Sequence, residues 1–292
     1  MNIRNTLKKY QNRYYASGSP LRYVRKATLE LSNPGAGRER AKVGASVAAG
    51  LPASLQQRVA DLKTTGYADA GDELDPTLLA ELDQTATGRL TNGYKGTKIR
   101  SFFTKFTDEA DLNSDSIFVR FALQPSVQKL VCSYFGNTVP YLGEVAVIQS
   151  HSNGNDQWTD SQLWHLDFSD SKTVLLWVYL TDVNTDEQGP FTYLTVDASR
   201  KVKNSFFPKR VPDAVVESAG LGSEVQKVYG PRLKSFYVDT ARCYHLGSRL
   251  RGDQTRLVYL ATFITHKPLY PLDNGIKLNG TMSDVERLLL RL

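Results

Sequence analysis

A mainly β fold, a double-sheet jelly roll or barrel with helices gathered at its N-terminal side, is what this chain of 292 residues predicts. Three observations carry that prediction. After residue 140 the chain breaks into six short segments rich in β-branched and aromatic residues: 143–150, 162–168, 173–180, 189–194, 235–240 and 256–264. Turn residues separate them, few helices intervene, and no internal repeat is present, which is the texture of an antiparallel double sheet rather than of a βα alternation. The helical signals lie earlier. Leu55–Thr65 is ended by Gly66; Pro76–Ala86 starts behind Asp75 as an N-cap with Pro76 in the first turn; Pro125–Phe135 stops at Gly136-Asn137.

The chain length suits one main domain with extensions. The two cysteines, Cys132 and Cys243, are too few for a disulfide framework and lack a CxxC partner, so both are expected as buried small hydrophobes in a reducing setting. No run of about 18 apolar residues exists, and a soluble, cytoplasmic protein is expected. The net charge of +6 is unevenly placed: residues 1–50 carry ten Lys/Arg against Glu30 and Glu39, a segment sum of +8, so the other 242 residues sum to −2. Within the arm, Ile3, Leu7, Tyr10 and Tyr14 fall at helical spacing among Lys8, Lys9 and Arg13. Two readings stay open: a solvated or self-docking arm, or a helix held peripherally on an anionic membrane surface. Residues 32–54, rich in Gly, Ala, Ser and Pro, read as a linker. The expected organisation is a basic arm and linker over 1–54 and a β domain over 55–292. Residues 195–234 have weak periodicity and read as a lid whose Arg200, Lys201, Lys203, Lys209 and Arg210 meet an acidic substrate group, or as a surface insertion.

QLWHLDF at 162–168 holds one of only four histidines. On a strand, residues i and i+2 share a face, so His165 and Asp167 present a nitrogen and an oxygen toward one point while Leu166 turns to the core. Two histidines and one carboxylate make the facial triad of non-heme iron(II) oxygenases. For the second histidine, His245 stands where the strand SFYVDT ends and is preferred. His151 lies in a polar turn and His266 follows the last strand.

With these residues the chain resembles the phytanoyl-CoA dioxygenase-like branch of the Fe(II)/2-oxoglutarate-dependent oxygenases, over about residues 59–266. VADLKTTGYADAGDELDPTLLAELDQ resembles the family's opening pattern, and LQPSVQKLVCSYFGN its helix before the first core strands. WHLD is similar to the family's HxD strand, and VYLTDVNTDEQGPFTYL to its strand, acidic turn and Gly-Pro stretch. The most specific likeness is H-x10-R, His245 to Arg256. The resemblance implies a double-stranded β-helix in which His165, Asp167 and His245 bind iron and Arg256 holds the far carboxylate of 2-oxoglutarate, a task suited to a planar guanidinium with two parallel donors. It implies O2 as the oxidant, release of succinate and CO2, and hydroxylation, less often desaturation, of a small molecule. The carboxylate of Asp167 argues against the related halogenases. Where many relatives carry Pro-Gly-Ser-His, this chain has DASR at 197–200, so the loop bordering the substrate differs.

Further candidates for contact with 2-oxoglutarate are Gln149, Trp164, Thr173 and Ser248, the last offering a hydroxyl donor. Trp177 and Tyr179 are read as core, and Asp156, Asp160 and Asp170 as solvated loop carboxylates. The alternative function is a non-catalytic jelly-roll binding protein whose arm holds a membrane or nucleic acid. A slightly acidic body disfavours nucleic acid. Oligomeric state and substrate identity are left open.

Overall fold

The computed structural model describes residues 34–292 except 153, 155–156, 205–209, 270–272 and 292, together with Val24, Ala27, Thr28 and Leu31. The amphipathic arm expected over the first residues lies outside the described residues. In chain order the elements are α1 (Pro34–Ala48), α2 (Ala53–Thr64), β1 (Tyr67–Asp69), α3 (Pro76–Thr91), β2 (Thr97–Arg100), β3 (Phe103–Lys105), α4 (Ile117–Ala122), α5 (Pro125–Tyr134), β4 (Tyr141–His151), β5 (Thr173–Tyr179), β6 (Phe191–Tyr193), α6 (Val196–Lys201), α7 (Asp213–Ser218), β7 (Gln226–Val228), β8 (Ser235–Asp239), β9 (His245–Leu246), β10 (Thr255–Ile264) and α8 (Asp284–Leu290).

Two antiparallel sheets face each other. The major sheet runs β1-β8-β5-β10-β4-β3-β2 and the minor one β7-β6-β9, the double-stranded β-helix expected from the sequence. Strand alternation separates two cores. From β5, Val174, Leu176 and Val178 join Val145, Val147, Leu257, Tyr259 and Tyr237 on the outer face, where α2, α4 and α5 cover them. The alternate residues Leu175, Tyr179, Val258, Phe236 and Val238 turn inward and meet Phe191, Tyr193 and Val228 of the minor sheet. The N-terminal helices thus pack on the outer face, as expected.

Local chemistry sets the helix ends. Asp75 Oδ1 accepts the Thr77 and Leu78 N–H groups at 2.8 and 3.1 Å, leaving Pro76 at a position that has no N–H to satisfy. Gly66, at φ 85°, ends α2 against the minor sheet, and a Cβ there would lie 2.1 Å from Cys243 Sγ, so only glycine fits.

Three expectations change. Residues 34–48 are a helix, not a loose linker. Gly44 lets α1 approach the backbone of Asn137 and Thr138, where a Cβ would sit 2.6 to 2.8 Å from backbone atoms, and Arg40, 2% exposed, donates to the Val139 and Pro140 carbonyls at 3.2 and 3.1 Å and to that of Arg291. Small residues here serve close packing rather than freedom. Second, the described residues of 195–234 are built into the fold, while Lys209 of the expected lid lies outside the described residues. The segment's β7 pairs with β6, and Ala198, Val202, Val211, Val216 and Leu221 build a third core with Trp164, Tyr244 and Leu246 on the outer side of the minor sheet. Third, 162–168 is not a continuous strand. After a 3-10 turn over Asp160–Gln162 the chain runs extended and is held by isolated bridges, Trp164 to Val211 and His165 to His245.

Candidate metal centre

Those bridges position the three candidate metal ligands. His165 and His245 exchange both backbone hydrogen bonds at 2.9 Å, and the Asp167 N–H is held by the Thr240 carbonyl at 2.9 Å. His165 is therefore opposite His245, and Asp167 follows on the same face. One ligand atom from each of His165, Asp167 and His245 lies within 4.8 Å of the others, and the two imidazoles stand 4.2 Å apart between centroids. Neither His151 nor His266 belongs to this group: His151 Nε2 lies 2.9 Å from the Ser101 carbonyl, and His266 lies beside Gly37 of α1.

Hydrogen bonding prepares the donors. His165 Nδ1 contacts the Leu163 carbonyl at 2.8 Å and His245 Nδ1 the Cys243 carbonyl at 3.0 Å. A carbonyl can only accept, so each Nδ1 carries a proton and Nε2 is the nitrogen left to meet a metal. Burial, then the neighbouring His245, pushes the His165 imidazole down to about 3, against the opposing pull of Asp167. Among the described residues no hydrogen bond or ion pair engages the Asp167 carboxylate. Two neutral nitrogens and one carboxylate on a common face fit a divalent first-row metal and leave positions open.

Beyond this face lies Arg256, 1% exposed. Its Nη2 donates to Ser248 Oγ at 2.8 Å and its Nη1 to the Gly189 carbonyl. Its Nε has no partner among the described residues, and no carboxylate among them pairs with it. Burial lowers its pKa from the ordinary arginine value, while the Tyr179 hydroxyl acts in the opposite direction. An isolated buried cation costs several kcal/mol, so this guanidinium is a candidate anchor for an anion. The Trp177 ring centroid is 5.8 Å from the guanidinium carbon, and Trp177 Nε1 and Thr173 Oγ1 are likewise buried without a partner. Three unmatched polar atoms thus stand on the inward face of the major sheet, since β10 pairs Leu260 with Trp177 and Ile264 with Thr173, continuing the row from Arg256.

Of the other sequence candidates, Ser248 and Thr173 stand on this inward side. Gln149 does not: it pairs with Leu257, whose side chain packs on the helices, whereas its neighbour Ser150 pairs with Arg256 and lies 2.9 Å from Ser248 Oγ. Trp164 also turns away, into the third core, with Nε1 donating to Asp213 at 2.8 Å. Tyr179 is core, as expected, its hydroxyl donating to the Val228 carbonyl at 2.9 Å. Asp170 is fully buried rather than solvated and accepts the Ser171 and Thr265 N–H groups at 2.7 and 2.8 Å. Asp160 pairs with Arg100 and Arg210, and Asp156 lies outside the described residues. Sequence reasoning missed Ser150, whose place depends on strand register; Trp177 packs against Phe191 and Phe236 in the inner core, as expected, with its indole N–H unpartnered among the described residues.

No family model and no curated protein matches the chain. Solved structures do. The epimerase SnoN, in complex with Fe3+, alpha ketoglutarate and nogalamycin RO, is 21% identical over 80% of this chain and 93% of its own, with a TM-score of 0.53. EctD from S. alaskensis is 13% identical in its apoform, over 81% of this chain and 86% of its own, at a TM-score of 0.53. The same protein with 2-oxoglutarate and 5-hydroxyectoine gives 12%, 76%, 87% and 0.52. The likeness is one of fold. At these identities it establishes the double-stranded β-helix, and what the chain does must be argued from its own side chains. Among the described residues no helix is long and apolar enough to cross a membrane.

Proposed function

We propose that the chain is an Fe(II)- and 2-oxoglutarate-dependent oxygenase acting on a small molecule. The observation that carries this reading is the pairing of a His-Asp-His face with a buried arginine that has no carboxylate of its own. The fold neighbours support this reading: SnoN was solved in complex with Fe3+ and alpha ketoglutarate, and EctD with 2-oxoglutarate and 5-hydroxyectoine. The reaction is proposed as hydroxylation of a C–H bond, and the phytanoyl-CoA dioxygenase-like branch as the one the chain belongs to.

His165, Asp167 and His245 would hold the metal, and Arg256 with Ser248 would hold the far carboxylate of 2-oxoglutarate. Bound iron supplies a centre that activates O2 at the expense of 2-oxoglutarate, yielding succinate and CO2. The remaining work falls to the chain. The Leu163 and Cys243 carbonyls fix both imidazoles as Nε2 donors. Trp177 Nε1–H, beside the Arg256 guanidinium, offers a hydrogen bond to the co-substrate, and Phe191, stacked 5.6 Å from His245, screens that ring from water. Contact of the basic arm with an anionic membrane surface is a separate proposal; full-length protein that fails to sediment with phosphatidylserine vesicles at low salt would remove it.

Anaerobic titration of the metal-free protein with Fe(II) and 2-oxoglutarate tests the main reading. A weak visible charge-transfer band is expected, lost in Asp167→Ala and requiring far more co-substrate in Arg256→Ala. Well-folded, metal-loaded protein with no band would leave a binding protein without this chemistry.

A further inference from the structure

Backbone pairing fixes what stands across from the first metal-binding histidine. Trp164 and Val211 exchange both backbone hydrogen bonds, at 3.1 and 2.9 Å, in an antiparallel bridge. One step along that register the partner of His165 is Arg210. Directly opposed residues project to the same face, with Cβ atoms about 5 Å apart. Trp164 and Val211 both enter the outer core, so Arg210 leaves the backbone on the side of His165. Its positive charge is felt by the His165 imidazole.

The Arg210 guanidinium meets one oxygen of Asp160 at 2.9 Å, and Arg100 meets the other at 2.6 Å. Arg100 belongs to the edge strand β2, next to β3, whose Phe103 pairs with Ser150 beside Ser248. The three side chains therefore span from the edge of the major sheet to the segment beside His165. Asp160 is fixed in place. Its backbone has φ 55°, and its turn is tied to the chain after His245: Gly247 N–H donates to the Ser161 carbonyl, Gln162 Nε2 to that of Ser248, and Arg249 Nε to that of Gln162. Two guanidiniums share one immobile carboxylate, and their side chains are 34% and 39% exposed. The cluster is net positive and keeps unused donors, since each guanidinium offers five. Guanidiniums held apart in this way suit a second planar or tetrahedral anion.

We propose that Arg100, Asp160 and Arg210 form the recognition site for an anionic group, carboxylate or phosphate, on the primary substrate, so that the molecule oxidised at the neighbouring centre is acidic. The word substrate rests on the oxygenase reading; the anion site itself does not. Arg210 selects by position, being the cross-strand neighbour of a metal-binding residue, and Arg100 closes the site from the opposite sheet.

Two measurements on full-length protein test this separately from the metal chemistry. In the first, metal-free protein is titrated with inorganic phosphate and with acetate at ionic strength matched by KCl, following thermal unfolding. Binding is expected in the wild type, about tenfold or more weaker in Arg210→Gln and in Arg100→Gln, and tighter in Asp160→Asn, which removes the competing carboxylate. Whichever probe binds more tightly names the substrate's anion. Equal constants in all four proteins, no binding by either anion, or a fall in Tm of the same size in chloride and phosphate would make the cluster a structural strap and overturn the proposal. In the second, Mn(II) and saturating 2-oxoglutarate are added, and 31P relaxation of phosphate is measured beside Mn(II) affinity from electron paramagnetic resonance. Relaxation enhancement in the wild type that is lost in Arg210→Gln, at unchanged Mn(II) affinity, is the expected result. Bound Mn(II) with no effect on phosphate overturns the placement near the centre. Failure of Mn(II) to bind would count against the metal reading alone, with the first titration still deciding the anion site.

Discussion

Ser248 holds a left-handed backbone, φ 62°, with its hydroxyl 2.8 Å from Arg256 Nη2. A non-glycine residue in this region costs about 1–2 kcal/mol, and here the Gln162 side chain, bonded to the Ser248 carbonyl, and Ser150, 2.9 Å from its hydroxyl, hold it there. The strained residue thus orients the buried guanidinium. Ser248→Gly relieves the backbone and Ser248→Ala does not, yet both lose the hydroxyl. Both are expected to need about ten- to a hundredfold more 2-oxoglutarate for half-saturation, one hydrogen bond to a charged group. Denaturation should rank the glycine variant the more stable by about 1 kcal/mol. A glycine variant with wild-type co-substrate affinity would assign the orienting role elsewhere.

Arg256 yields a prediction about stability. With no carboxylate beside it among the described residues, its burial opposes folding until an anion arrives. Arg256→Met is expected to be no less stable than the wild type in the absence of 2-oxoglutarate. Added 2-oxoglutarate at about a hundred times its dissociation constant should stabilise the wild type by about 2.7 kcal/mol and leave the methionine variant unmoved. A variant that unfolds several degrees earlier without co-substrate would show that Arg256 is chiefly a structural donor to Ser248 and Gly189.

The His-Asp-His cluster was readable in the sequence because alternation along an extended segment is a strong constraint: His165 and Asp167, two apart, must share a side, and His245 lies where a strand ends. Buried polar roles were not. Gln149 and Ser150 are adjacent, and moving by one residue along β4 exchanges the helix-covered face for the inward one. Sequence reveals the pattern but not the register against β10 that chooses between them. Trp177 reads as core because most tryptophans are; only the lack of an acceptor for its indole N–H among the described residues marks it as more. The α1 segment misleads for a related reason, since Gly44 and its alanines have the composition of a linker while their small size permits contact with the chain at Asn137.

Acid should weaken the metal-free protein through His165. The unfolded imidazole titrates near 6.5, whereas burial and His245 push the native one down to about 3. Below pH 6.5 the unfolded chain binds a proton that the native state refuses, so stability is present above 6.5 and is lost as pH falls toward 3. The slope is about 1.4 kcal/mol per pH unit once pH is well below 6.5. Urea denaturation at pH 7.5, 6.0, 5.0 and 4.5 is expected to show this slope in excess of that of His165→Gln. Identical pH profiles for the two proteins would remove His165 as the source.

Arg40 decides where the folded body begins. Its guanidinium joins α1 to the Val139 and Pro140 carbonyls at the start of β4 and to Arg291 near the C-terminus, and burial lowers its pKa to about 10. Arg40→Met keeps much of the apolar stem but leaves these carbonyls without the donor, so a loss of about 2–4 kcal/mol is expected. A chain starting at residue 24 should match the full-length protein in urea denaturation, because α1 is intact. One starting at residue 51 should lose at least as much as Arg40→Met. If the shorter chain were as stable as the longer, α1 would be an appendage and the body would begin near residue 55 after all.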